Sequence, residues 1–331
     1  MRQNLFFDKL NKNHFNGQVY MYKKDVYDNL FCLGYENYSE KKLISKASVF
    51  PIASGTKFIT ALAVYKLIAE KKLNLHSKAK DILDLKIETY DPKITIKDLI
   101  THQSGMPDYY DEFKDDLGQG IDNLSLLKTE DYLPYFPKTA MEFKPKKAFR
   151  YNNSGYVYLA LIIEKITGLT YPSYINEHLL KPLNIMKSGV FKASEPLKDK
   201  VMGYLNQINY QHHIGYVPEV SGGDGGAYIH YQELIHLIAT LLDEKPFNID
   251  FKNILEHDFV LANRDQALFY GCGLWAKKMN NQMIYYAEGC DPGISFRFAF
   301  NINYDAYYFI ASNLEDGIWA YIDNLEQMIF S

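Results

Sequence analysis

The sequence predicts an α+β chain in which an antiparallel sheet, built from the N- and C-terminal segments and flanked by helices, carries an inserted, mainly α-helical lobe. Three observations lead there. Strand-like runs crowd both ends of the chain, helical runs fill its middle, and terminal strands sharing one sheet force the middle out as a lobe of its own. The expected division of the single 331-residue domain is a sheet lobe of about 1–80 plus 260–331 and a helical lobe of about 81–259. A cleft is expected at the junction, where binding sites commonly form.

The elements follow in order. The segment FNGQVYMYKK (15–24) alternates Val19 and Met21 against Gln18, Tyr20 and Tyr22, the period of a strand. VYDNLFCLGYEN (26–37) reads as its partner, and the charged break at Lys23, Lys24 and Asp25 suits a hairpin between them. Residues 54–73 are apolar almost all round, with Phe58, Leu62, Tyr65 and Ala69 on one stripe and Ile59, Ala63 and Leu67 beside it, which predicts a helix buried on most faces. Thr95 and Asp98 form a capping-box pair opening a helix expected to run to about Ser104 and Gly105. SGYVYLALIIEKIT (154–167) is helical and stops at Gly168; YQELIHLIATLLDE (231–244) is helical and ends before Pro246. Four β-like runs follow, YGCGLWAKK, NQMIYYAEG, ISFRFAFNI and AYYFIASN, and a helix over about 316–329 closes the chain.

Composition narrows the function classes. The chain is 47% hydrophobic and 23% charged, the balance of an ordinary globular enzyme. A net charge of −4 leaves no basic footprint for nucleic acid. Cys32, Cys272 and Cys290 are too few and too scattered for a disulfide framework and include no C-x-x-C pair, so neither a structural metal nor a redox centre is expected. His212 and His213 come with no metal-ligand pattern and read as surface or core residues. Charged and amide residues interrupt any apolar stretch in MRQNLFFDKLNKNHFNGQ, so no signal peptide is read and a cytoplasmic product is expected. No run approaches about 18 consecutive apolar residues, so no membrane span is predicted.

Three places could carry chemistry. Ser54 and Lys57 stand three apart at the start of a buried helix, on one side of it. A lysine held neutral by burial can take the proton of a serine, turning a weak nucleophile into a strong one. The spacing is common by itself: it recurs at Ser39–Lys42, Ser77–Lys80 and Ser125–Lys128. Only Ser54–Lys57 follows an apolar stretch (49–53) directly into a long buried helix, and a plain N-cap serine with a solvated lysine remains its alternative. Tyr151 and Asn153 precede the 154–167 helix, where a phenol could relay a proton and an amide could hold a substrate carbonyl. Their alternative is a tyrosine in a cleft wall with an asparagine cap. At Glu288, Gly289 and Cys290 a glycine could let a strand edge approach a ligand and offer an oxyanion N–H, or the segment could simply turn through Asp291, Pro292 and Gly293.

The order of these segments resembles the penicillin-recognising serine hydrolases, the group of class C β-lactamases, DD-peptidases and related esterases. The matching stretches are FNGQVYMY (15–22), FPIASGTKFITALAVYKLIAEKKLNL (50–75), ITIKDLITHQSGMPDY (94–109), FRYNNSGYVYLALIIEKITG (149–168), HLLKPLN (178–184), GGDGGAY (222–228), YGCGLW (270–275) and GCDPGISF (289–296). They cover most of the chain, and the phrase around I-T-H-x-S-G-M-P is characteristic. The resemblance implies Ser54 as the acylated nucleophile, Lys57 as its proton acceptor and Tyr151 as general acid and base. It implies Asn153 as a contact for the acyl side chain and the backbone N–H groups of Ser54 and Cys290 as the oxyanion hole. It calls for no metal and no organic cofactor.

One departure bears on substrate choice. The family's third motif is usually Lys-Thr-Gly or His-x-Gly, and here the aligned triplet is Ala287, Glu288 and Gly289. The cation or imidazole that helps bind a substrate carboxylate is absent, and Glu288, if turned inwards, would repel one. The expected activity is therefore acyl-enzyme hydrolysis of a small ester or amide, weak on β-lactams. A D-amino-acid peptidase, DD-carboxypeptidase or β-lactamase is the alternative within enzymes, and a non-catalytic penicillin-binding-like scaffold the alternative outside them. A small-molecule ester, amide or peptide is the partner expected.

Overall fold

In the computed structural model, which describes residues 2–110 and 120–331, one eight-stranded antiparallel sheet organises the chain. Its strands are β1 (Gly17–Lys23), β2 (Tyr27–Leu33), β6 (Val260–Asn263), β7 (Leu268–Gly271), β8 (Leu274–Met279), β9 (Gln282–Asp291), β10 (Ile294–Asn301) and β11 (Ala306–Ser312). They lie in the order β2-β1-β11-β10-β9-β8-β7-β6. The first and last strands of the chain lie side by side, second and third in that order, with Val19 opposite Ile310 and Met21 opposite Tyr308. A second, three-stranded sheet joins β3 (Val49–Pro51), β4 (Gly189–Val190) and β5 (Ala227–His230) in the order β3-β5-β4.

The large sheet is covered on both faces, which explains its composition. Phe296, Phe298 and Phe300 of β10 pack into the helical body, while Ala299 faces the opposite side. A central strand buried on both faces reads as a nearly continuous apolar run. The outer face is covered by α1 (Arg2–Lys12) and α6 (Ile322–Phe330), whose Phe6, Leu10, Leu325 and Ile329 pack on Val19, Met21 and Ile310. On the inner face α2 (Thr56–Ala69) runs between the sheet and α4 (Asn153–Thr167), and Thr56 through Leu67 are all buried. That enclosure is why α2 shows no polar stripe.

The expected α+β architecture is the one observed, with differences at element level. Helix α1 was not expected; its signal is only the pair Phe6 and Leu10, one turn apart and both buried. The run 270–278 is two strands, broken where Cys272 (φ 51°) and Gly273 (φ 72°) turn the chain through left-handed conformations. The Thr95 capping box forms with both of its hydrogen bonds, yet helix α3 (Ile96–Ile100) stops well short of Ser104 and Gly105. His102, at φ 55°, ends it, since a helix cannot continue through a left-handed residue. Helix α4 ends as expected at Gly168, in the left-handed conformation at φ 71°. Helix α5 (Tyr231–Asp243) covers the expected segment.

Candidate active site

The chain leaves β3 through Ala53, whose φ of 45° is strained for a residue with a side chain, and enters a single 3₁₀ turn (Ala53–Gly55) before α2. Ser54 sits on that turn, half-buried, ahead of the helix rather than within it. Lys57 follows in the first turn of α2 and is wholly enclosed. Its Nζ lies 2.9 Å from Ser54 Oγ, 2.7 Å from Asn153 Oδ1 and 2.8 Å from the carbonyl of Asp224.

That arrangement suits both protonation states of the amine. An ammonium has three N–H bonds for three acceptors; a neutral amine keeps two of them, for Asn153 and Asp224, and presents its lone pair to the Ser54 hydroxyl. A proton can then cross between Ser54 and Lys57 with only one hydrogen bond reversing and no side chain moving. The competing lysines sit elsewhere: Lys42 pairs with Glu36 and Asp199, and Lys128 with Glu130, both at the surface.

Tyr151 approaches from the segment before α4. Its ring centroid is 4.7 Å from Lys57 Nζ, and it stacks nearly parallel (7°) on Trp275 of β8. His102 packs against it, ring centroids 4.4 Å apart. Burial and the nearby Lys57 hold the imidazole well below its usual pKa, so it is neutral, and its Nδ1 accepts from the backbone N–H of Asn152 at 3.1 Å. Asn152 in turn caps α4 by accepting from the N–H of Gly155 at 2.7 Å.

Asn153 belongs to this centre more intimately than expected. Besides lining the cavity inside Ser54, it donates from Nδ2 to Asp108 Oδ2 (3.2 Å) and to the carbonyl of Tyr110 (3.3 Å). Burial pushes the Asp108 carboxyl up to about 7, against hydrogen bonds from Asn153 and Ser154 that pull it down. Asp224 is likewise raised by burial and accepts from the Tyr109 hydroxyl at 2.6 Å. His102, Asp108 and Asp224 were not singled out from spacing. The only signal was their place inside ITIKDLITHQSGMPDY and GGDGGAY.

Strand β9 completes the site. A Cβ built on Gly289 would fall 2.1 Å from the carbonyl oxygen of Ile52 and 2.7 Å from the nitrogen of Ser54, so no larger residue lets the strand pass so close to the candidate nucleophile. Past Tyr286, the last residue paired with β8, this edge borders a cavity shared by Ser54, Tyr151, Glu288, Gly289 and Cys290. A second cavity, lined by Tyr109, Asn153 and Asp224, also reaches Ser54. Ser54 therefore borders both.

Glu288 departs from the repulsive role considered for it. Its carboxylate receives both Nε (3.0 Å) and Nη2 of Arg297, its cross-strand partner on β10. Arg297 also donates to Glu326 at 3.2 Å, and Glu326 accepts from Lys277 at 2.7 Å. Two carboxylates face two cations, so Glu288 brings no uncompensated charge to the cleft. Strand alternation separates the two roles: Gly289 packs against Ser54, while Glu288, still at the border of the cavity, has its carboxylate held by Arg297.

Comparison with known proteins identifies the family. The family described as Beta-lactamase matches residues 16–318, and the chain belongs to that family, whose members are serine hydrolases. It is 32% identical over 193 residues to Protein flp of Staphylococcus aureus (strain MW2), a match covering 57% of this chain and 36% of that protein, so the chain spans about a third of that relative. Among solved structures it resembles a penicillin binding protein from Bacillus halodurans, with a TM-score of 0.87, 27% identity and coverage of 98% and 99% of the two chains. A D-stereospecific amidohydrolase from Streptomyces sp. shares the fold at a TM-score of 0.79 and 17% identity, covering 99% of this chain and 98% of the other.

Proposed function

We propose that this protein is a serine hydrolase that works through an acyl-enzyme on a small ester or amide. The observation carrying the proposal is the hydrogen bonding of Lys57, which is held by Asn153 and Asp224 with its Nζ 2.9 Å from Ser54 Oγ. In this reading Ser54 Oγ attacks the acyl carbon while its proton passes to Lys57 Nζ. The N–H groups of Ser54 and Cys290 receive the oxyanion, and Tyr151 supplies the proton to the departing group. Water, deprotonated by the same machinery, then releases the acid and restores Ser54. Asn153 borders the acyl side, and Tyr151 with Trp275 borders the leaving-group side.

A fluorophosphonate probe tests the proposal. It should label the wild type at Ser54 and fail to label Ser54→Ala, with p-nitrophenyl ester turnover lost in parallel. A folded wild-type protein that neither labels nor turns over esters would leave the scaffold reading standing.

A second reading, hydrolysis of D-amino-acid peptides, is favoured by one observation. With Glu288 compensated by Arg297, the cleft no longer repels a carboxylate, and Arg150 lines the leaving-group cavity beside Tyr151 while pairing with Glu142 at 2.8 Å. Substrates sharing an acyl group but differing in leaving group decide between the readings. A KM at least about tenfold lower for the carboxylate-bearing leaving group supports the peptidase; equal KM values support the general ester or amide hydrolase.

A further inference from the structure

We propose that Asp108 is a positioning residue for acyl transfer: it fixes the Asn153 amide with its oxygen, not its nitrogen, towards Lys57. The proposal rests on the reading of Lys57 as the base. A carboxamide has nearly the same shape in either orientation, so its hydrogen-bond partners alone choose between them. In the observed orientation Nδ2 faces two acceptors, Asp108 Oδ2 at 3.2 Å and the Tyr110 carbonyl at 3.3 Å, while Oδ1 receives Lys57 Nζ at 2.7 Å. Turning the amide over would set its oxygen against a carboxylate and a carbonyl, and its NH2 group against the amine of Lys57. All three contacts would become repulsive or empty.

Asp108 is itself held firmly enough to impose that choice. Its Oδ2 also accepts from the backbone N–H of Asn153 at 2.7 Å, and its Oδ1 accepts from the N–H and hydroxyl of Ser154 at 2.8 and 3.0 Å. Although burial raises the group to about 7, four donors converge on its two oxygens, two of them the first N–H groups of α4, where the helix dipole favours the ionised, accepting form. One side chain anchors the start of the helix and the amide that the helix carries. The effect reaches the reaction through Asn153: with its oxygen presented, Nζ is held by fixed acceptors on Asn153 and Asp224 and keeps its contact with Ser54 for the proton exchange.

A double-mutant cycle tests this. Asp108→Leu keeps similar bulk but offers no acceptor to the Asn153 amide, and should lower kcat for ester hydrolysis about tenfold or more while KM stays within about twofold. In an Asn153→Ala background, where no amide remains to be oriented, the same substitution should change kcat by less than about twofold. Asp108→Ala removes the acceptor with less bulk, and serves in the same cycle if the leucine variant does not fold. Equal losses in the two backgrounds, or no loss in either, would overturn the proposal. Wild-type enzyme that is active while the cycle is additive rejects Asp108 alone; wild-type enzyme that neither labels nor turns over ester rejects the hydrolase reading beneath it.

Discussion

At the scale of single residues, the site is a set of enclosed polar groups whose partners are nearly all supplied by the protein. Lys57 is the extreme case, with no exposed surface and three oxygen acceptors. Lys57→Met preserves most of its volume and removes the base, so kcat should fall by about 10²–10⁴ while the fold is retained, as checked by ester kinetics beside circular dichroism. The network on the outer face makes a different demand. Arg297→Met would take from Glu288 the guanidinium that holds it and from Glu326 one of its two cations, and should cost about 3 kcal/mol in urea unfolding. Combining it with Glu288→Gln should recover part of that loss, because one of the stranded charges is gone. An undiminished loss in the double variant would show that packing, not charge, is what Arg297 contributes.

At the scale of elements, three segments distant in sequence meet at one turn. Strand β3 delivers Ser54 through the strained Ala53, α4 delivers Asn153 from its capped start, and the edge of β9 passes close enough to touch both neighbours of the turn. Gly289 is the point of closest approach. Gly289→Ala should push β9 from the Ser54 nitrogen and lower kcat/KM by about 100-fold or more, comparable to losing an oxyanion donor. Wild-type kinetics in that variant would show that β9 takes no part in the reaction. The cap of α4 is a milder case: Asn152→Ala removes its bond to the Gly155 N–H and should cost about 1–2 kcal/mol in thermal or urea unfolding.

At the scale of the whole molecule, buried imidazoles make the fold sensitive to acid. His213, in the wall of the inner cavity, is lowered by burial to about 4, and His102 is lowered well below its usual value for the same reason. In the unfolded chain each would titrate near 6.5. Between those limits the unfolded state binds protons that the folded state refuses, so stability is present above about pH 6.5 and is lost as pH falls towards 4. For His213 alone the loss is on the order of 3 kcal/mol. The Asp108 carboxyl, raised by burial to about 7, acts in the opposite sense over the same window, because the folded state there holds a proton that the unfolded chain releases. The imidazole contribution is therefore read as a difference: from about pH 6.5 to about 4 the melting temperature of His213→Gln should fall less, or rise more, than that of the wild type, and parallel curves would mean that His213 does not titrate there. Among the described residues no helix is long and apolar enough to cross a membrane.

Much of this was legible in the sequence because it is local. Alternation in 15–24, the break at Asp25, the enclosed pattern of 54–73 and the Gly168 stop each depend on residues within one element, and strands β1 and β2 and helices α2, α4 and α5 lie where those patterns put them. The pairing of serine and lysine belongs to the same class, since three residues on a turn must share a side. The structure alone decided what depends on who faces whom across the fold. Pairing across β9 and β10 put the Glu288 carboxylate, at the border of the cleft, in the grip of Arg297, and the first turn of α4 brought Asp108 to Asn153, 45 residues away. Hydrogen bonds reach only about 3 Å, and a sequence records no such distances between remote segments.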